Sequence, residues 1–189
     1  MNVSESKIEF RFDDRYHVLK LDDTAFYCNL FNQLPGSKAV DFLAYDESRF
    51  LMIEVKNCVG NEADNRWRIA ANNMKRETTA PNESVLERDS LDIEAAQKTA
   101  MSIAALFGAY TRPVPQSVSD ECVPFAQALF DAKVLDGQFG CRTRSDLTIR
   151  QELQNHLKRK LKWLNGEVLV LDSQTLSTKG LNLTAVRIA

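Results

Sequence analysis

KAVDFLAYDESRFLMIEVKN, the stretch at residues 38–57, holds two short apolar runs on either side of the polar cluster DESR at 46–49. That pattern is typical of a β-hairpin. If the middle two residues of the cluster form the loop, Asp41 lies opposite Glu54 on the neighbouring strand. Glu54 and Lys56 are two residues apart and therefore project from the same face of their strand. The sequence thus predicts that Asp41, Glu54 and Lys56 converge at the open end of one hairpin.

These three charges lie among apolar residues that suit a buried sheet, namely Val40, Phe42, Leu43, Ile53 and Val55. Charged side chains in such a sheet are costly unless they are paired or bind a metal, and two carboxylates that face each other across antiparallel strands repel. A divalent cation between Asp41 and Glu54 turns that repulsion into coordination, since Mg²⁺ typically uses one or two protein carboxylates and keeps water ligands. An ammonium such as that of Lys56 can orient or activate a water, or balance the charge of a phosphate.

The sequence Val-Asp at 40–41 and Glu-Val-Lys-Asn at 54–57 resembles the motif of the PD-(D/E)XK nuclease superfamily, with valine where the motif name has proline. The resemblance implies a restriction-endonuclease-like fold with Asp41, Glu54 and Lys56 as the catalytic residues. In that reading Asp41 and Glu54 hold Mg²⁺ or Mn²⁺. The implied activity is that of a metal-dependent nuclease that hydrolyses phosphodiester bonds in nucleic acid, with DNA as the expected substrate.

The resemblance also suggests further site residues. The backbone carbonyl of Val55 is a candidate metal ligand. Some relatives present a polar side chain from the helix after the motif, and Gln97 and Lys98 lie where such a residue would be. The alternative for Lys98 is an ordinary solvated helical lysine. A third carboxylate could come from Asp22 or Asp23, for which the alternative is a solvated helix cap.

Two alternatives apply to the motif as a whole. One is a surface hairpin with an ordinary ion network, which would contribute little to stability. The other is a non-catalytic nucleic-acid-binding or protein-interaction module that retains the nuclease fold. A net charge of −2, the lack of a clear third acidic residue and the lack of a recognisable DNA-binding domain favour this second alternative, whereas the intact charges at 41, 54 and 56 argue against it.

The length and composition, 189 residues with 44% hydrophobic and 26% charged, are those of a globular protein. We expect a single nuclease-like domain over residues 1–189, with a polar insertion at about 58–89. No run approaches the ~20 apolar residues of a membrane span, and the N-terminus lacks the apolar segment of a signal peptide. Four cysteines without CxxC spacing argue against a zinc site. These features predict a cytoplasmic protein with no membrane partner, and they leave open a homodimer or a larger complex.

Hydrophobic periodicity predicts the remaining elements. We expect strands at 7–12, 16–21, 125–135, 167–172 and 181–188, and helices at 26–34, 90–112 and 146–165. The first two strands are candidates to pair with each other, and 136–145 is expected to be a loop. This order predicts an α/β fold with a restriction-endonuclease-like core, in which a mixed β-sheet is flanked by helices on both faces.

Basic side chains in three regions are candidate nucleic-acid contacts. They are Arg66 and Arg68 in the insertion, Arg142 and Arg144 in the expected loop, and Lys158 and Lys162 in the last helix. Arginine and lysine contact phosphates in most protein–nucleic acid interfaces. The alternative at each position is a charge that is merely solvated.

Overall fold

A computed structural model describes residues 1–56, 68–69, 89–112, 121–132, 135–141, 147–172 and 175–188. The strands are β1 (Asn2–Glu5), β2 (Ile8–Phe12), β3 (His17–Leu19), β4 (Phe42–Tyr45), β5 (Phe50–Lys56), β6 (Leu135–Cys141), β7 (Gly166–Leu171) and β8 (Leu183–Arg187). The helices are α1 (Ala25–Asn29), α2 (Leu91–Thr111), α3 (Val123–Asp131) and α4 (Leu147–Lys160), with 3-10 turns at Leu21–Asp23, Phe31–Gln33 and Leu176–Lys179. The predicted α/β class is confirmed.

The main sheet has five strands in the order β3-β4-β5-β6-β7. Strands β3, β4 and β5 are antiparallel to one another, and β5, β6 and β7 run parallel. A parallel pair needs a long crossover between its strands. The chain between β5 and β6 contains α2 and α3, and α4 joins β6 to β7. The prediction of a mixed sheet is therefore confirmed.

The hairpin of β4 and β5 has the predicted register. Phe42 pairs with Ile53, and continuing the register by one residue puts Asp41 opposite Glu54. A backbone hydrogen bond of 3.1 Å between the first and last residues of the DESR turn closes the hairpin. The alternation of the two strands then decides which side chains share a face, so Glu54 and Lys56 point the same way.

The four described helices all pack on one face of the main sheet. On that face Phe50 and Met52 of β5 are buried with Ala105 and Leu106 of α2 and Phe125 of α3. Helix α1 contributes to the same apolar cluster, and α4 packs with α2 against β7 in an adjoining one. Because Glu54 and Lys56 continue the every-second-residue series of Phe50 and Met52 along β5, their side chains lie on the face that α2 covers.

A second, three-stranded antiparallel sheet in the order β1-β2-β8 covers the opposite face. Phe10 and Phe12 of β2 and Leu183 of β8 are buried against Leu51 and Ile53 of β5. The prediction that helices flank the sheet on both faces is therefore wrong for the described part of the chain. The alternation of apolar and charged residues along β2 gives this small sheet one apolar face, and that face takes the place of a helix layer.

The predicted strand at 125–135 is wrong, because most of this stretch belongs to α3. Pro124 lies in the first turn of that helix, where its missing N–H costs no hydrogen bond. Phe125 and Ala126 are buried against the sheet. A run of apolar residues of this length suits a buried strand and a short buried helix equally, and the proline at the start favours the helix.

The strand that enters the sheet is instead β6, within the stretch that we expected to be a loop. Its sequence, LDGQFGC, contains two glycines and an aspartate, which are rare in strands. It pairs on both sides, with β5 and with β7. Backbone pairing with two neighbours thus overrides a weak local preference.

Strand β2 also has different partners from those expected. It pairs with β1 and with β8, at the far end of the chain, whereas β3 pairs with β4. The predicted pairing of residues 7–12 with 16–21 is therefore wrong. The predicted insertion at about 58–89 lies outside the described residues, apart from 68, 69 and 89, as do Arg66, Arg142 and Arg144. None of the described helices is long and apolar enough to cross a membrane.

Candidate active site

Two carboxylates of the hairpin converge on one ammonium group. The Nζ atom of Lys98 donates to Oδ1 of Asp41 at 3.2 Å and to Oε1 and Oε2 of Glu54 at 2.8 and 2.9 Å. The other oxygen of Asp41 accepts the backbone N–H of Val55 at 2.6 Å. That bond and the strand register fix Asp41 beside Glu54. The structure therefore brings together Asp41, Glu54 and the helical lysine.

Lys56 continues this arrangement towards the edge of the site. Its Nζ lies 2.7 Å from Oε1 of Glu54 and donates to Oε1 of Glu94 at 2.9 Å. The other oxygen of Glu94 accepts a hydrogen bond from Arg68. The charges therefore alternate in sign from Asp41 through Lys98, Glu54, Lys56 and Glu94 to Arg68. Each carboxylate of this cluster touches at least one cation, and each cation touches at least one carboxylate.

Helix α2 supplies the side chains that meet the hairpin. Glu94 and Lys98 are four residues apart and therefore lie on the same side of the helix. One turn further, the hydroxyl of Ser102 accepts the backbone N–H of Val40 at 3.0 Å, just before the strand that follows Asp41. This bond ties the helix backbone to the hairpin, so that Glu94 and Lys98 are held at a fixed depth over the sheet.

Burial makes the central carboxylate depend on its cations. Glu54 is only 2% exposed. Burial raises the pKa of Glu54. The cations Lys56 and Lys98 oppose that shift, and the nearby charge of Asp41 adds to it. For Lys98, burial lowers the pKa, but Glu54 and Asp41 outweigh burial and the net shift is upward. Lys98 is thus a permanent cation whose charge holds Glu54 and Asp41 together.

Glu94 is the site residue that the sequence did not indicate. Burial acts to raise the pKa of Glu94, but Lys56 and Arg68 outweigh it and the pKa is lowered. Glu94 is therefore a carboxylate that stays ionised and fixes the ammonium of Lys56. The signal in the sequence is its spacing, because it lies one turn before Lys98, which was already a candidate.

The donor set at the centre fits a hard divalent cation. One oxygen of Asp41 and both oxygens of Glu54 lie within 3.2 Å of a single point, the Nζ atom of Lys98. Carboxylate oxygens are the ligands that Mg²⁺ and Mn²⁺ prefer. Within the described residues no group of three or more His, Cys, Asp or Glu side chains could hold a metal ion. Two carboxylates are nevertheless enough for an ion that keeps most of its waters, and the carbonyl of Val55 stays a predicted ligand.

The other candidates from the helix and the N-terminal region have different surroundings. Gln97 is exposed and accepts a hydrogen bond from Lys38 at 2.9 Å, so it points away from the carboxylates. Burial raises the pKa of Asp22. The charge of Lys20 opposes that shift, and the charge of Asp41 adds a small further increase. The carboxyl group of Asp22 is thus close enough to Asp41 to sense its charge, although it does not contact the cluster.

The basic residues predicted to contact nucleic acid lie in different places. Arg68 points inward to Glu94, with its side chain 16% exposed. Lys158 and Lys162 are exposed and line an open cavity of about 560 Å³ at the turn before β7. The first residue of β7 is level with Phe50 of β5, with β6 between them. Lys56 lies six residues further along β5, which puts it about 20 Å from Phe50 at ~3.3 Å per residue. These two lysines therefore lie beside the start of β7, although Lys160 between them reaches Asp92 of α2 at 2.9 Å.

Comparisons with known proteins identify a family but no activity. The model of a family of unknown function (DUF6661) matches residues 24–185. That span contains all six charged residues of the cluster and omits only the N-terminal strands and the extreme C-terminus. No curated protein and no solved structure matches the chain.

Proposed function

This chain belongs to the DUF6661 family, and we propose that it is a divalent-cation-dependent nuclease with a restriction-endonuclease-like core and DNA as its expected substrate. One observation carries the proposal. Asp41, the residue before β4, and Glu54 of the antiparallel strand β5 contact the same cationic atom, and Lys56 follows Glu54 by two residues on the same face. A helix and then a strand parallel to β5 follow this hairpin, and this order supports the proposal.

The carboxylates of Asp41 and Glu54 are the groups that would hold Mg²⁺ or Mn²⁺. A bound ion of this kind polarises a phosphoryl oxygen and lowers the pKa of a coordinated water. The chain itself supplies the placement of the two carboxylates. Asp41 is oriented by the backbone N–H of Val55, and Glu54 is buried between the sheet and α2.

Lys56 is the residue placed to act on the substrate. Its ammonium touches Glu54 and is also held by Glu94, so it stays beside the carboxylates while its side chain remains 22% exposed. From there it can donate to a phosphate oxygen or orient the attacking water. Glu94 and Arg68 act through Lys56 and are positioning residues.

A cleavage assay tests the proposal. Purified protein is incubated with single-stranded, duplex and branched DNA and with RNA, in Mg²⁺, Mn²⁺ or EDTA. We expect cleavage of at least one substrate that needs the metal and falls about 100-fold or more in Glu54→Gln. Lys38→Met is the matched control, because Lys38 contacts Gln97 on the outside of the same helix. Cleavage that is equal in Glu54→Gln would belong to a contaminant and would contradict the assignment.

The second candidate is a non-catalytic nucleic-acid-binding or protein-interaction module, favoured by the internal pairing of the cluster. Its three carboxylates already have cationic partners among Lys56, Arg68 and Lys98. Such a network can be purely structural. Calorimetric titration with Mn²⁺ separates the two functions. Absence of binding, together with unchanged stability in Asp41→Asn, would favour the module.

A further inference from the structure

We propose that Lys98 is an intramolecular competitor of the divalent cation, so that the metal binds Asp41 and Glu54 only when the Lys98 ammonium leaves them. This inference rests on the proposed nuclease function and concerns how its site is loaded. It makes Lys98 the residue that sets the metal affinity of the site.

The contacts of Lys98 carry the first step. Its ammonium has three hydrogen-bond donors, and the three oxygens within 3.2 Å belong to Asp41 and Glu54. These are the same oxygens that are offered to a metal. The side chain of Lys98 is 16% exposed and that of Asp41 is 14% exposed, so the ammonium fills a mostly enclosed position.

Electrostatics carries the second step. A Mg²⁺ ion held by these three oxygens would compete with the ammonium for their lone pairs. Two cations that share the same carboxylate oxygens also repel each other. The metal and the ammonium of Lys98 therefore exclude each other. In the absence of metal the ammonium balances the charges of Asp41 and of the buried Glu54, which would otherwise be costly.

The surrounding helix allows such an exchange without refolding. Lysine has a flexible four-carbon stem, whereas the helix backbone is tied to the hairpin through Ser102 and Val40. Thr99, beside Lys98, is buried and donates its hydroxyl to the carbonyl of Ala95 within the helix. The backbone therefore stays in place while the Lys98 side chain moves to solvent or to a phosphate.

Calorimetric titration with Mn²⁺ at mildly alkaline pH tests the competition. The proteins are wild type, the charge-removing variants Lys98→Met and Lys98→Gln, the charge-keeping variant Lys98→Arg, and Lys38→Met as the surface control. Because a charged hydrogen bond must be broken in the wild type, we expect the two neutral variants to bind Mn²⁺ at least about tenfold more tightly. Lys98→Arg and Lys38→Met should stay near the wild-type affinity. Circular dichroism verifies that each variant is folded, and Lys98→Gln replaces Lys98→Met if the latter does not fold.

A second readout follows the lysine itself. Acetylation of wild-type protein, mapped by mass spectrometry, should modify Lys98 slowly without metal and faster with saturating Mn²⁺, while Lys38 reacts equally in both. If Lys98 stays protected although Mn²⁺ is bound, the competition is refuted.

The remaining outcomes separate this inference from the proposed function. Equal Mn²⁺ affinity in wild type and both neutral variants, with binding lost in Asp41→Asn, would overturn the role of Lys98 and leave the metal site intact. If neither the wild type nor the Lys98 variants bind Mn²⁺, or if Asp41→Asn binds as the wild type does, both the competition and the proposed metal site are wrong.

Discussion

Replacing Lys98 by methionine should destabilise the metal-free protein by about 2–3 kcal/mol. Breaking a buried ion pair from one side costs roughly 3–5 kcal/mol. Two features of the site reduce that figure. Lys56 remains 2.7 Å from Glu54 and still balances part of its charge, and the 16% exposure of Lys98 lets water screen the rest. The expected loss therefore falls at or just below the lower end of that range, at about 2–3 kcal/mol.

Urea unfolding followed by circular dichroism measures this loss directly. Lys38→Met is the matched control, because the side chain of Lys38 is 34% exposed and lies 3.8 Å from Asp89; we expect it to change stability by less than about 0.5 kcal/mol. Addition of Mn²⁺ at a hundredfold excess over its dissociation constant should restore about 2.7 kcal/mol to Lys98→Met, since the ion binds only the folded site. If Lys98→Met is as stable as Lys38→Met without metal, the ammonium does not balance the buried carboxylates and the reasoning fails.

Three further predictions concern the carboxylates. Asp41→Asn and Glu54→Gln should stay folded but lose most of the metal-induced increase in melting temperature, which thermal melts with and without Mn²⁺ would detect; an increase equal to that of the wild type would mean that the ion binds elsewhere. Glu94→Gln should cost about 1–3 kcal/mol in urea unfolding, because the partly buried Lys56 and Arg68 lose a charged partner, and no loss would show that Glu94 does not hold them. The pKa of Glu94 is lowered in the folded protein, so its contribution to stability is present above the unfolded pKa of about 4.3 and is lost as the pH falls through the lower folded value. The free energy of unfolding should therefore depend less on pH in Glu94→Gln than in the wild type between pH 5 and about 2. An equal pH dependence in the two proteins would contradict that shift.

Local patterns were sufficient to predict the hairpin and the helix that faces it. The polar DESR cluster between two apolar runs determines where the chain turns, and the turn in turn sets Asp41 opposite Glu54. Helix α2 could be predicted because its apolar and small residues recur at helical spacing and the prolines after it stop the helix. The approach of Lys98 to the carboxylates follows from the packing of that helix on the same face.

Pairing between distant segments could not be predicted in the same way. Strand β6 has a glycine-rich sequence that is typical of a loop, and it becomes a strand because β5 and β7 provide hydrogen-bond partners on both sides. The second sheet depends on β8, whose partner β2 is at the other end of the chain. Glu94 escaped notice for a related reason, because its spacing of one turn before Lys98 becomes informative only when Lys56 is placed beside it.

The measurement that tests the central claim most directly is the rate of metal-dependent cleavage by Lys56→Met compared with Lys38→Met. Both variants lose one lysine charge, but only Lys56 touches Glu54 at the proposed site. With Mg²⁺ or Mn²⁺ and the best substrate of the nucleic-acid panel, we predict that Lys56→Met loses about 100-fold or more of the wild-type rate while Lys38→Met keeps it. Equal rates in the two variants, or no metal-dependent cleavage by the wild type of any substrate in the panel, would contradict the account.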